Sequence, residues 1–339
     1  GQQEVKPKPS EEKIFGLWLA YNYAPNLESW NKRLKKFNEN GITDIFLSAT
    51  PDQTKDFIEL ASKQNIKTHA WIWTLNAPND EEAMKHPEWY AVNRLGQNSL
   101  EYRAYVDYYQ WLSPFSEGAR EHIKSKVANY LSIDGLESIH LDYVRYVDVI
   151  LGADLQPKYN LQQDHQMPEF DYDYHPNARA EFKELFGVDP MDLENPELDM
   201  EWLQFRLNAV TALVNDISYM VHLENKKLSA AVFPYPEMSR QMVRQDWSSW
   251  DLDIAVPMIY HNFYRQNMNW IQFATEQGVR ESKGKFKLVT GLFLPSLNEN
   301  SLNEAIKKAF DGGADGICLF GLNQRVDFPV KIIGRFSKK

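Results

Sequence analysis

Eight short apolar, β-branched or aromatic runs separated by stretches of helical periodicity constrain this chain more than any other feature. That alternation builds a parallel sheet joined by crossover helices. The runs are 14–21 (IFGLWLAY), 44–49 (DIFLSA), 67–74 (KTHAWIWT), 137–143 (ESIHLDY), 227–233 (KLSAAVF), 253–260 (DIAVPMIY), 287–294 (KLVTGLFL) and 315–320 (DGICLF). Between the first two, 29–38 reads as an amphipathic helix closed by the Asn40-Gly41 stop; 54–64 repeats the pattern, and 302–310 ends at Gly312-Gly313. No strand is left over, and a last helix is expected over 329–336. The prediction is a closed (β/α)8 TIM barrel, one domain over 13–339, behind a disordered tail over 1–12.

The spacing shows where the barrel is elaborated. Roughly 70 residues separate the third run from the fourth and roughly 90 the fourth from the fifth, far more than elsewhere, so long insertions follow strands 3 and 4. Both leave from strand C-terminal ends, the face on which barrel enzymes place their chemistry. The first is rich in Trp, Tyr and Arg, among them Trp89, Arg94, Tyr105, Tyr108, Tyr109 and Trp111. The second opens with Asp164, His165, Glu169, Asp171, Tyr172, Asp173, Tyr174 and His175. Both are expected to wall a cleft.

Composition narrows the partners. The net charge of -10, with no basic cluster longer than pairs such as Lys35-Lys36, argues against nucleic acid. The single cysteine, Cys318, lies in an apolar run, which excludes an internal disulfide and predicts a buried, inert thiol. No segment reads as a membrane span or a signal peptide. The polar, Pro/Lys-rich opening from Gly1 to Ser10 reads as the remnant of a removed export signal, so an exported, periplasmic or cell-surface protein is expected, with a lipid anchor in its full-length precursor.

The fourth run carries the most chemistry. In Ile139-His140-Leu141-Asp142-Tyr143-Val144-Arg145-Tyr146, strand alternation sends His140 and Asp142 to the interior at the strand exit, and Arg145 could supply countercharge to an ionised Asp142. A structural Asp/Arg ion pair is the plainer alternative. Other strand ends add Trp18 and Tyr21, Trp71 and Trp73, Tyr260, His261 and Asn262. Flat aromatic faces beside hydrogen-bonding groups suit a sugar, whose ring faces are rich in C–H while its rim carries hydroxyls. Glycoside hydrolysis also needs two carboxyl groups. Asp142 is the candidate nucleophile or base. Glu237, in Phe233-Pro234-Tyr235-Pro236-Glu237, is the candidate general acid, its pKa raised by an apolar setting; a solvent-facing glutamate opening the next helix is the alternative. Trp18, Tyr21, Trp71, Trp73, His140, Arg145, Tyr260 and Asn262 are the expected substrate-binding residues. No metal-ligand spacing appears, so neither metal nor cofactor is expected.

The succession His86-Pro87-Glu88-Trp89, Trp111-Leu112-Ser113-Pro114, Gly118-Ala119-Arg120-Glu121 and Asp134-Gly135 leading to His140-Leu141-Asp142-Tyr143-Val144-Arg145-Tyr146 resembles the family labelled family 10 glycosyl hydrolase-like. Val256-Pro257-Met258-Ile259-Tyr260 and Gly316-Ile317-Cys318-Leu319-Phe320 continue the likeness over nearly all the chain after residue 13. The resemblance implies a barrel glycosidase of the kind exported by polysaccharide-degrading bacteria. The fourth strand is also distantly similar to that of the chitinase-type barrel, which ends in Asp-x-Asp-x-Glu. Here His140 replaces the first of these acids and Val144 the catalytic glutamate, so substrate-assisted chemistry is not expected.

The leading expectation is therefore a glycoside hydrolase acting on an oligo- or polysaccharide through Asp142 and Glu237. The alternative is a carbohydrate-binding barrel without catalysis. A phosphate-binding barrel, suggested by Gly312-Gly313-Ala314-Asp315-Gly316, is disfavoured because these glycines precede strand eight rather than follow it.

Overall fold

In the computed structural model, which describes residues 11–338, eight parallel strands close in sequence order. The tail expected over 1–12 falls almost wholly outside the described residues. The strands are β1 (Ile14–Ala20), β2 (Asp44–Ser48), β3 (Lys67–Trp73), β4 (Leu136–Asp142), β5 (Lys227–Val232), β6 (Ile254–Pro257), β7 (Lys287–Phe293) and β8 (Gly316–Phe320). β1 pairs with both β2 and β8, which closes the barrel and removes every sheet edge.

Period-2 alternation sorts the core into two layers. Phe15, Leu17, Leu19, Ile45, Leu47, Ile317 and Leu319 pack outward against the helices. Trp18, Phe46, Ala231, Val256, Val289 and Cys318 fill the interior. Cys318 is the expected buried thiol, and burial pushes its pKa up.

Nine α-helices are described, beside short 3-10 turns: α1 (Leu27–Glu39), α2 (Pro51–Lys63), α3 (Glu117–Leu131), α4 (Pro176–Phe186), α5 (Met200–Leu223), α6 (Pro236–Val243), α7 (Asn269–Ser282), α8 (Glu299–Asp311) and α9 (Phe328–Ser337). Local chemistry fixes their ends. Asn26 caps α1 by accepting from Ser29 N at 2.8 Å, and α1 buries Trp30, Leu34 and Phe37, one helical face. Its chain reverses at Gly41, whose φ of +79° suits a residue without Cβ. Thr50 and Gln53 form a capping box on α2, as Asn298 and Ser301 do on α8.

The segments after β3 and β4 are pinned to each other. Asn93 and Tyr172 form an antiparallel bridge, and Asp173 accepts from Val92 N, Ser113 Oγ and Tyr146 OH. Asp171 lies in ion pairs with Arg94, Arg206 and Arg244. This corrects one sequence expectation: Asp171, Tyr172, Asp173 and Tyr174 are buried between the two segments and do not wall a cleft. Three guanidinium groups repay the desolvation of Asp171 and hold its pKa down despite burial.

Candidate active site

The mouth is built from the inward positions of β3 and β4. Parallel register sets Trp71 beside His140 and Trp73 beside Asp142. His69, Trp71 and Trp73 therefore stack in layers facing Ser138, His140 and Asp142.

The lower layers form one polar chain. Trp18 Nε1 can only donate, and its 2.9 Å bond to His140 Nε2 leaves the His140 proton on Nδ1, which donates to Ser229 Oγ at 2.8 Å. Ser229 Oγ lies 3.0 Å from Ser138 Oγ, Ser138 bonds to His69 Nδ1, and His69 Nε2 donates to Asp44 Oδ2 at 2.7 Å. Burial, with His69 nearby, drives the His140 pKa well down and keeps its imidazole neutral. Gly291 on β7 makes room for this arrangement, since a Cβ there would sit 2.9 Å from the Trp18 ring.

Asp142 ends β4 in the layer above, with 8% of its surface exposed. Trp71 Nε1 donates to its Oδ2 at 2.9 Å, and Tyr143 N donates to its Oδ1 at 2.7 Å. Tyr143 itself is left-handed, with φ of +51°. A tyrosine in that region is costly, by about 1–3 kcal/mol, and packing has to impose it. Trp73 lies against the Tyr143 ring at 4.5 Å. Burial raises the Asp142 pKa, outweighing the two donors and the Arg145 charge. Burial thus outweighs the countercharge expected from Arg145, and the carboxyl group holds its proton to higher pH than a free aspartate does.

Arg145 explains part of that difference. Its guanidinium pairs at 3.1 Å with Asp148, and it bonds to Tyr146 O and Tyr109 OH. The rings of Trp111, Tyr143 and Phe233 surround it at 5.3, 5.2 and 4.9 Å. The expected Asp142–Arg145 pair does not form. Asp148, missed in the sequence, is 7% exposed and accepts from Tyr109 OH at 2.8 Å through the same oxygen that meets Arg145. Among the described residues its other oxygen accepts no hydrogen bond. A three-residue spacing after Arg145 was the available signal.

The remaining candidates separate by depth. Trp71 and Trp73 are half-buried at the mouth, and Tyr260 closes its far side, 6.2 Å from Phe320 and 5.2 Å from Phe293. Tyr108, 47% exposed, stands 6.1 Å from Trp73. Phe293 and Phe320 were not singled out in the sequence, although alternation in β7 and β8 aims both inward. Trp18 and His140 lie one layer below, and His140 has no exposed surface. Tyr21 packs outward beside Trp30, at 6.3 Å, sharing the outward parity of Phe15, Leu17 and Leu19. Asn262 follows Tyr260, and its buried Oδ1 has no donor among the described residues. Glu237 is exposed in the first turn of α6, and among the described residues it makes no hydrogen bond or ion pair. No three His, Cys, Asp or Glu side chains among the described residues converge to hold a metal ion.

Residues 30–310 match the family model described as Glycosyl hydrolase-like 10. None of the curated proteins matches this sequence. Among solved structures, the chain is similar to the PgaB (BpsB) glycoside hydrolase domain from Bordetella bronchiseptica, at 13% identity and a TM-score of 0.66 over 91% of this chain and 94% of that one. The catalytic domain of beta-amylase from Paenibacillus polymyxa is similar at 12% identity and a TM-score of 0.63, over 97% and 98%. The endo-1,4-beta-mannanase from Rhizomucor miehei is similar at 9% identity and 0.58, over 99% and 97%. Identities this low speak for the fold alone.

Proposed function

We propose, on the premise that this chain belongs to the glycosyl hydrolase-like 10 family, that its barrel mouth hydrolyses a glycosidic bond in an oligo- or polysaccharide. One observation carries the reading: Asp142 sits at the floor of an aromatic-walled opening, its pKa raised by burial while 8% of its surface stays exposed. A general acid has these properties.

Asp142 is assigned as the proton donor to the leaving glycosidic oxygen. Asp148 is assigned the second role, attacking the anomeric carbon or taking a proton from the water that does so, through the oxygen that Arg145 and Tyr109 leave free. Glu237 is the competing candidate for the second carboxyl, but it is exposed and no hydrogen bond or ion pair among the described residues holds it in place. Trp71, Trp73 and Tyr260 offer faces to the sugar, while Trp18 and His140 hold the floor from below. Arg145 acts through Asp148 as a positioning residue.

The test is reducing-end release from glucans, mannans and N-acetylglucosamine polymers. Asp142→Asn is expected to lose turnover while keeping wild-type circular dichroism. Asp148→Asn losing activity with Glu237→Gln retaining it supports the pairing of Asp142 with Asp148; the reverse pattern makes Glu237, the general acid expected from the sequence, the partner of Asp142. A wild-type protein that retains these polysaccharides without cleaving any is the carbohydrate-binding barrel, a reading that the exposure of Glu237 favours.

No helix among the described residues is long and apolar enough to cross a membrane. The hydrolase reading is proposed together with the exported, periplasmic or cell-surface location expected from the sequence. Fractionation of the source cells tests it, and recovery in the cytosol sinks it.

A further inference from the structure

A groove of about 670 Å³ opens beside the mouth, between the C-terminal ends of β2 and β3 and the flank of α3, a size typical of small-ligand sites at roughly 300–1,000 Å³. We propose that it is a second carbohydrate subsite, taking uncharged pyranose units of the same chain that is cut at Asp142; this rests on the hydrolase reading above.

Continuity with the reacting centre is the first argument. Trp71 lines the groove while its Nε1 donates to Asp142, so a chain lying on that indole passes directly to the acid. Trp73 lines it too, with Tyr143 packed against the same ring at 4.5 Å. An indole held in place by a second ring is a ready stacking surface for a C–H-rich sugar face.

The charges supply the second argument. Asp80 and Lys126 both line the groove, but they cancel: Asp80 Oδ2 accepts from Lys126 Nζ at 3.2 Å and His122 Nε2 at 2.7 Å, while Oδ1 accepts from Ala83 N at 3.1 Å. Neither a uronate nor a protonated amino sugar finds an unpaired partner there. Neutral donors remain. Gln53 uses only its carbonyl, accepting from Thr50 N at 3.0 Å, which leaves its amide NH2 free among the described residues.

The groove therefore selects for chain length. In whichever of the manno-, gluco- or N-acetylglucosamine series the wild type cleaves, kcat/KM for the hexasaccharide is expected to exceed that for the nitrophenyl disaccharide by roughly tenfold, the worth of one good stacking contact. Ala49→Trp, placed to fill the groove, is expected to erase that advantage without lowering disaccharide turnover, which also reports that the variant is folded. Gln53→Ala is expected to reduce the advantage severalfold. Hydrolysis that is indifferent to chain length, or a hexasaccharide preference that survives Ala49→Trp, overturns the subsite and leaves the hydrolase reading standing. If the wild type cleaves nothing, that reading fails, and calorimetric titration with the hexasaccharides decides the groove separately: binding abolished by Ala49→Trp supports it, and binding unaltered or absent overturns it.

Discussion

Two buried aspartates, at opposite ends of the same barrel, have been driven in opposite directions. Asp44 opens β2 at the N-terminal face. Burial would raise its pKa, but the hydrogen bond and charge of His69, with Thr43 and Lys67 adding, hold it below the usual carboxylate range. Asp142 closes β4 at the C-terminal face, where burial wins because its direct donors, Trp71 Nε1 and Tyr143 N, carry no charge. Desolvation alone does not set the pKa of a buried carboxyl group; the number and the charge of the donors that reach it set it too. One end of the barrel thus holds a carboxylate whose pKa its imidazole partner lowers, the other a carboxyl group whose pKa burial raises.

The comparison is broken most forcefully at Asp142. Asp142→Asn is expected to lower kcat by about 10²–10⁴-fold, the usual worth of a general acid, while Asp44→Asn leaves kcat and KM near wild type. Equal losses from both would show that Asp142 is structural.

Stability should respond the other way round. Asp44→Ala removes the partner of a buried imidazole and is expected to cost about 3–5 kcal/mol in urea unfolding, against about 1–3 kcal/mol for Asp142→Asn, whose one amide oxygen keeps an acceptor for only one of Trp71 Nε1 and Tyr143 N. A harmless Asp44→Ala would mean that His69 Nε2 does not depend on that acceptor.

The pH dependence sharpens the contrast. Native Asp142 keeps its proton after the unfolded chain has lost it, so its contribution to stability is present at acid pH and is lost as pH rises from the ordinary carboxylate range through its raised pKa. Asp44 contributes above that range and loses its contribution as pH falls through its lowered pKa. Melting temperatures of wild type and Asp142→Asn should therefore separate toward neutral pH, with the variant gaining. A constant offset across pH would refute the raised pKa.

The smallest expected effect comes from Trp71→Phe. Without the indole N–H, the Asp142 carboxylate loses a donor, and the alkaline limb of kcat/KM should move to higher pH. A limb that stays put would mean that another group sets it.

The eight strands and most helix ends were legible in the sequence because alternation, caps and stops are local properties of the chain. The expected strand over 14–21 is Ile14–Ala20, and the helix expected over 302–310 is Glu299–Asp311. Trp71, Trp73 and Asp142 were legible as mouth residues for the same reason. Tyr21 was misread against a rule already in hand: if Trp18 points inward, period 2 turns Tyr21 outward with Leu19. Arg145 was misread for want of information, since the left-handed turn at Tyr143 redirects the chain and delivers the guanidinium to Asp148.

The sequence by itself determined a closed barrel, its elaborated face and the acid at the exit of the fourth strand, since each follows from periodicities a few residues long. Only the tertiary structure decided which way the protons lean. Closure brings Trp18 of β1 to His140 of β4, 122 positions away in sequence, and Trp71 to Asp142, 71 positions away. Depth of burial and the charge of a donor arriving from another strand are what shift a carboxyl group, and neither exists until the barrel has closed.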